Sequence, residues 1–65
     1  MKILVNGALR ETEAVDFAQV LVDLGYGDSV VVTAVNGEFV PSGSRHLTRL
    51  SDGDQLEILA PMQGG

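Results

Sequence analysis

The sequence contains no cysteine and no tryptophan, and it has only one tyrosine and two phenylalanines. Without cysteine, the chain has no disulfide framework, no thiolate metal site and no thiol nucleophile of its own. A chain of 65 residues buries only about 60% of its unfolded surface. The sequence therefore predicts one small domain that folds around aliphatic side chains without disulfide or metal.

Basic residues are scarce, because four lysines and arginines stand against nine aspartates and glutamates, and the formal net charge is −5. Nucleic-acid binding needs basic surface to displace counterions from phosphates, so this balance argues against it. An acidic surface serves solubility and is compatible with an electropositive protein partner. No apolar stretch approaches the roughly 20 residues of a membrane span. We expect a soluble cytoplasmic protein with no membrane segment.

No group of side chains resembles an active site. His46 is the only histidine and lies in a predicted loop between Arg45 and Arg49, where solvation is the simpler interpretation of all three. Asp52 and Asp54 lack the further oxygen ligands at regular spacing that calcium needs, so we interpret them as part of a turn. The sequence predicts no enzyme, no metal site and no bound cofactor.

Hydrophobic periodicity predicts five strands and one amphipathic helix. The predicted strands are 2–6, 8–13, 30–35, 38–40 and 55–60, and the helix is 15–24, with a broad apolar face of Val15, Phe17, Ala18, Val20, Leu21, Val22 and Leu24. Asn-Gly pairs at 6–7 and 36–37 predict two tight hairpins. Asp16 is expected in the first turn of the helix, and Gly25 at its C-terminal end.

One helix can hide only one face of a sheet, so the order β-β-α-β-β-β predicts an α+β fold. The first and last strands then lie side by side in the middle. This is the β-grasp, or ubiquitin-like, arrangement: a mixed sheet of four to five strands covered by one helix, in a single domain over 1–65. The predicted core includes Ile3, Val5, Val15, Leu21, Val35, Leu56 and Ile58.

Gly64 and Gly65 follow closely behind the last predicted strand. Two glycines allow almost any backbone path and carry no Cβ, so they suit a carboxylate that another enzyme must reach through a narrow channel. A truncation or a linker remnant would leave the same pair, so the pair alone does not decide the function. We expect 62–65 to form a flexible tail, because it contains little to bury.

Four segments carry a resemblance to a known family: 1–7 (MKILVNG), 35–41 (VNGEFVP), 50–58 (LSDGDQLEI) and 62–65 (MQGG). With these segments in this order and at this length, the chain resembles the ThiS family, the sulfur carrier proteins of thiamine biosynthesis. The resemblance implies that an E1-like adenylating enzyme uses ATP to adenylate Gly65. It implies next a thiocarboxylate, with sulfur from a cysteine desulfurase, that donates sulfur to thiazole synthase. Gly64, with Met62 and Gln63, would form the slim tail.

Two positions depart from the family pattern. Ala14 stands where the family usually has serine or threonine, so the helix is expected to lack its usual N-cap. Ser42 stands where a basic residue often follows the Val-Pro step, and Arg45 is a candidate to replace that residue at a partner contact.

Alternatives remain open at this point. The small subunit of molybdopterin synthase shares the same tail chemistry but tends to be longer, a non-covalent β-grasp binding module would carry the two glycines incidentally, and a ubiquitin-like protein modifier is not excluded. Strand alternation also predicts that Leu4, Ala34 and Leu59 face away from the helix and form a small apolar patch beside the tail. We expect this patch to dock the activating enzyme.

Overall fold

The structure is a computed structural model that describes residues 1–27 and 29–60. Its elements are β1 (Lys2–Val5), β2 (Ala8–Glu11), α1 (Phe17–Asp23), β3 (Val32–Val35), β4 (Glu38–Val40), a 3₁₀ helix (Ser42–Leu47) and β5 (Gln55–Leu59). The five strands form one sheet in the order β2-β1-β5-β3-β4. β1 and β5 are parallel neighbours, and the other pairs are antiparallel. This is the predicted β-grasp arrangement.

The two Asn-Gly pairs form the predicted hairpins. Asn6 and Asn36 both have a φ of 50°, and Gly7 and Gly37 both have a φ of 84°. Asparagine and glycine tolerate this left-handed region better than other residues, and positive φ at both central positions matches the twist of the flanking strands. The pairs therefore set the registers of β1 with β2 and of β3 with β4.

The start of the helix corrects the sequence-based prediction. α1 begins at Phe17, and Asp16 is its N-cap, with a carboxylate oxygen that accepts a hydrogen bond from the Gln19 backbone N–H at 2.9 Å. The helix therefore has an N-cap, although Ala14 is not that residue. Val15 lies before the cap and outside the helix, where its carbonyl accepts a hydrogen bond from the Leu50 N–H.

The predicted apolar face of the helix is too broad. Phe17, Val20 and Leu21 are buried at i, i+3 and i+4, whereas Val22 is 58% exposed. Val15, which was predicted to lie in the core, is 54% exposed because helical periodicity does not apply before the N-cap. Only one stripe of a short helix contacts the sheet beneath it.

α1 ends at Asp23 with Leu24 as its C-cap, and Gly25 follows at the predicted C-terminal position with a φ of 88°. The N–H of Tyr26 bonds to the carbonyl of Leu21 at 2.7 Å, and the N–H of Gly25 bonds to that of Val22 at 3.0 Å. These two bonds form a Schellman motif, which satisfies carbonyls that the helix leaves open at its end.

The core lies between α1 and the inner face of the sheet. Its buried apolar members are Ile3, Val5, Ala14, Phe17, Val20, Leu21, Val31, Val40, Leu50, Leu56 and Ile58. Val35 packs against this cluster and is partly buried. Thr33 is the buried polar residue within the described part of the chain. Apart from Val15, and with Val35 at the margin, the predicted core is confirmed.

Candidate functional site: the end of β5 and the open face of the sheet

β5 is the middle strand of the sheet and the last element that the structure describes. It pairs with β1 on one side, with Val5 opposite Leu56, and with β3 on the other, with Thr33 opposite Ile58. Leu56 and Ile58 point into the core. The chain beyond residue 60 therefore follows a strand that has a neighbour on each side.

The residues predicted to carry the chemistry follow this strand in the sequence. Met62, Gln63, Gly64 and the predicted modification site Gly65 lie outside the described residues, as does the predicted flexibility of 62–65. The structure describes the strand that precedes them, β5, and the strands on either side of it.

Asparagine side chains fasten both ends of β5. At its start, the Asn36 carboxamide accepts from the Gln55 N–H and donates to a carboxylate oxygen of Asp54, both at 3.0 Å. At its end, the Asn6 carboxamide accepts from the Ile58 N–H and donates to the Ile58 carbonyl, both at 2.9 Å. The sequence predicts both asparagines only as turn residues, because local sequence carries no signal for contacts 19 and 52 residues away.

The face of the sheet opposite the helix is open to solvent. Cross-strand partners share a face, so the register places the following apolar side chains there: Leu4, Leu9, Val32, Ala34, Phe39 and Leu59. Leu59 is 60% exposed and Phe39 is 68% exposed. An exposed apolar surface of this kind, on a small acidic protein, is typical of a protein-binding surface.

The three predicted docking residues share this face, but they are spread along it. Leu4 lies opposite Gln55, whereas Leu59 is four residues further along β5 and lies opposite Val32. At the rise of an extended strand, this separation is about 13 Å. Ala34 lies opposite Glu57, whose exposed carboxylate stands between the two ends. Leu59 and Val32 are therefore the pair nearest the exit of the tail.

The loop before β5 is a turn, as predicted. A carboxylate oxygen of Asp52 accepts from the Lys2 N–H at 2.7 Å, and one of Asp54 accepts from the Ser51 N–H at 2.8 Å. Asp52 therefore connects the turn to β1, and Asp54 closes the turn on itself just before β5 begins. Within 1–27 and 29–60, no group of three or more His, Cys, Asp and Glu side chains is placed to hold a metal ion.

Arg45 is structural, which argues against its predicted role at a partner contact. The guanidinium is half-buried and donates to the Thr33 hydroxyl at 2.9 Å and to the Val31 carbonyl at 2.6 Å. The Thr33 hydroxyl in turn donates to the Val40 carbonyl at 2.7 Å. Arg45 thus connects the 3₁₀ helix to the start of β3.

Replacing Arg45 with alanine is expected to destabilise the fold by about 1–3 kcal/mol, because the Val31 carbonyl loses a charged donor and the Thr33 hydroxyl loses one of its partners. Urea unfolding measures the change. Arg49→Ala, at an exposed arginine, is the matched control and should change stability by less than about 0.5 kcal/mol. Equal effects of the two substitutions would contradict a structural role specific to Arg45.

No helix among the described residues is long and apolar enough to cross a membrane. The architecture, one helix on a mixed sheet whose middle strand leads to the carboxyl terminus, defines a β-grasp protein.

The model of the ThiS family matches residues 3–65, and the chain belongs to this family. The chain is similar to the crystal structure of the thiamine biosynthesis protein ThiS from Geobacter metallireducens, with 28% identity, a TM-score of 0.83 and 100% of both chains covered. It is also similar to an NMR structure of a thiamine biosynthesis protein from the same organism. There the identity is 28%, the TM-score is 0.81, and the match covers 100% of this chain and 88% of the other. No curated protein matches the sequence significantly.

Proposed function

We propose that this chain is a sulfur carrier of thiamine biosynthesis and that its Gly65 carboxylate carries the sulfur. The observation that supports this most is the family match over residues 3–65, which includes Gly64 and Gly65. The described geometry agrees with such a role, because the tail follows a strand fixed on both sides. The chain is a co-substrate rather than an enzyme.

The chemistry proceeds in two steps on the terminal carboxylate. A carboxylate oxygen of Gly65 attacks the α-phosphate of ATP, pyrophosphate leaves, and an acyl adenylate forms. A sulfur nucleophile then attacks the acyl carbon and AMP leaves, which produces the thiocarboxylate. With a persulfide from a cysteine desulfurase as donor, a thiol must also reduce the resulting acyl disulfide. ATP is bound by the E1-like partner, and the carrier holds no cofactor.

At thiazole synthase the thiocarboxylate sulfur is then transferred to the forming thiazole. The acyl C–S bond of the carrier breaks and an oxygen from the acceptor substrate or from water replaces the sulfur, which returns the carrier to its carboxylate form. The family match and the two similar thiamine biosynthesis proteins favour this acceptor over molybdopterin synthase. A non-covalent binding module or a protein modifier is not favoured by any specific feature of the described residues.

Incubation with an E1-like adenylating enzyme of thiamine biosynthesis, ATP and inorganic sulfide tests the proposal. The intact mass should rise by the difference between one sulfur and one oxygen, and only when ATP is present. Adding thiazole synthase with its other substrates should return the mass to its starting value as thiazole forms. A carrier that stays unmodified under all conditions would contradict the proposed function.

The open face of the sheet is the proposed docking surface for the adenylating enzyme, with Leu59 as its main contact and Leu4 and Ala34 further along. Leu59 is the large apolar side chain nearest the tail on this face. Glu57 beside it adds an exposed negative charge, which favours a partner surface that combines apolar and basic residues. Association should therefore weaken as the salt concentration rises.

Leu59→Arg is expected to raise the KM for the carrier at least about tenfold, because loss of one buried leucine at an interface corresponds to about 1.5–3 kcal/mol. The kcat at saturating carrier should change little, since the acyl centre is untouched. The measurement is adenylation rate as a function of carrier concentration.

Val22→Arg is the matched control, because Val22 is equally exposed but lies on the helix, on the other side of the sheet. Circular dichroism establishes that both variants are folded. An unchanged KM in folded Leu59→Arg, or an equal rise in Val22→Arg, would remove Leu59 from the docking surface.

A further inference from the structure

We infer that Asn6 is a positioning residue for the C-terminal tail: its side-chain carboxamide completes the hydrogen-bond ladder of β5 and thereby fixes the point from which the tail leaves the fold. The inference rests on the proposed function, in which Gly65 must reach an active site on another protein. Asn6 does not touch the reacting atoms. It acts through the backbone of Ile58.

The ladder between β1 and β5 shows what the carboxamide replaces. The Leu4 N–H bonds to the Asp54 carbonyl and the Asn6 N–H bonds to the Leu56 carbonyl, both at 2.9 Å. In a regular parallel ladder, the next two bonds would join the Ile58 N–H to the carbonyl of residue 6, and the N–H of residue 8 to the Ile58 carbonyl. The hairpin turn at 6–7 takes the backbone of β1 away before either bond can form.

The Asn6 side chain supplies both missing partners. Its Oδ1 accepts from the Ile58 N–H at 2.9 Å, and its Nδ2 donates to the Ile58 carbonyl at 2.9 Å. A carboxamide has the same donor and acceptor groups as a peptide bond, so it provides the acceptor that residue 6 and the donor that residue 8 would supply in a longer β1. Both polar groups of the Ile58 backbone are thus satisfied by one side chain.

This contact lies where the tail begins. Ile58 is followed by Leu59 and Ala60, after which the described part of the chain ends. β1 ends at Val5, opposite Leu56, so without the carboxamide the last residues of β5 would be held by β3 alone. A strand end that is hydrogen-bonded to a neighbour on a single side undergoes local opening more readily. When the end of β5 opens, the point from which the tail leaves the fold is less fixed. The Gly65 carboxylate then samples a larger volume, and its effective concentration at the acyl-transfer site is lower.

The choice of asparagine is not explained by the turn alone. The φ of 50° at Asn6 is compatible with glycine or aspartate, which would also form the hairpin. Glycine has no carboxamide, and a carboxylate has no donor for the Ile58 carbonyl. Only asparagine combines this turn conformation with both hydrogen bonds.

Asn36 provides a matched control. It has the same φ of 50°, also precedes a glycine, and also accepts from a β5 backbone N–H, that of Gln55. Its contact lies at the start of β5, away from the tail. Asn6→Gly and Asn36→Gly each remove one carboxamide from one Asn-Gly turn. Comparing them separates a general loss of stability from a change at the end of β5, where the tail begins.

The test measures amide hydrogen exchange by NMR and the steady-state kinetics of ATP-dependent thiocarboxylation with inorganic sulfide. In Asn6→Gly, the Ile58 amide should exchange at least about tenfold faster than in Asn36→Gly, because its acceptor has gone. The kcat at saturating carrier should fall about 3- to 10-fold, the equivalent of one or two hydrogen bonds. KM should stay within about twofold, because the docking face is intact. Asn36→Gly should retain the wild-type kcat.

Asn6→Asp preserves the shape and turn preference of the residue while removing the donor, so it should lower kcat in the same direction if Asn6→Gly is poorly folded. Equal kcat values for the Asn6 and Asn36 variants, or unchanged Ile58 exchange in folded Asn6→Gly, would overturn the inference. A wild-type carrier that is not modified would instead contradict the proposed function and the kinetic role of Asn6 with it. Exchange of the Ile58 amide would then still decide whether Asn6 holds the strand.

Discussion

Removing Gly65, or adding one alanine after it, is expected to abolish sulfur transfer to the chain, with a loss of at least about a hundredfold in rate. In the deletion variant the carboxylate falls one residue short, and in the extended variant it lies on a residue with a Cβ that a narrow channel would exclude. A misplaced reacting atom loses most of the advantage of a positioned acyl centre, which amounts to several powers of ten in model reactions. Intact mass after reaction with the adenylating enzyme, ATP and sulfide measures the loss.

The control for this result is binding. Both tail variants retain Leu59 and the open face, so each should compete with the wild-type chain for the adenylating enzyme. Loss of modification together with retained competition would assign the defect to the terminal carboxylate. If the extended variant were modified as fast as the wild type, the terminal-carboxylate mechanism would be wrong.

Leu56→Ala is expected to destabilise the fold by about 2–5 kcal/mol, which threatens the stability of a domain this small. Leu56 is 1% exposed and lies on the middle strand, opposite Val5 on one side and Val35 on the other. Its truncation leaves a cavity where β1, β3 and β5 meet. Chemical denaturation measures the free energy of unfolding.

Leu59→Ala is the matched control for this prediction. It removes the same atoms from the same strand, but Leu59 is 60% exposed and faces away from the helix. Its effect on the free energy of unfolding should be below about 0.5 kcal/mol. Equal effects at the two positions would mean that the two faces of β5 have been assigned the wrong way round.

Features that depend on local backbone chemistry could be predicted from the sequence. The Asn-Gly pairs predicted both hairpins because few residues tolerate positive φ at two successive positions. Gly25 marked the end of the helix for the same reason. One helix and five short apolar runs leave few arrangements that bury both, which is why the order of elements predicted the β-grasp sheet.

The start of the helix was less predictable. Val15 fits the helical period, so the apolar pattern predicted a helix that starts two residues before Phe17, where α1 begins. Asp16 is compatible with either the cap or the first turn of the helix. The choice between them depends on an isolated backbone β-bridge between Asp16 and Arg49, which is far away in the sequence. Boundaries of this kind are set by tertiary contacts.

In the candidate site, too, local sequence predicted some features, whereas others depend on pairing between distant residues. Alternation placed Leu4, Ala34 and Leu59 on the open face, but it did not determine the distance between them, because the register of β1 against β5 depends on pairing across most of the chain. The same long-range pairing brings Asn6 to Ile58. Arg45 was a candidate for a partner contact because its half-burial against Thr33 has no local signature.

Tandem mass spectrometry of the modified carrier determines which residue carries the sulfur. Total mass alone is ambiguous, since replacing oxygen with sulfur adds nearly the same mass as oxidation of either methionine in the chain. If the Gly65 carboxylate carries the sulfur, then after reaction with the adenylating enzyme, ATP and sulfide the added mass is found only in fragments that contain Gly65, and only when ATP was present. Added mass on any other residue, or an equal increase without ATP, would contradict this role of Gly65.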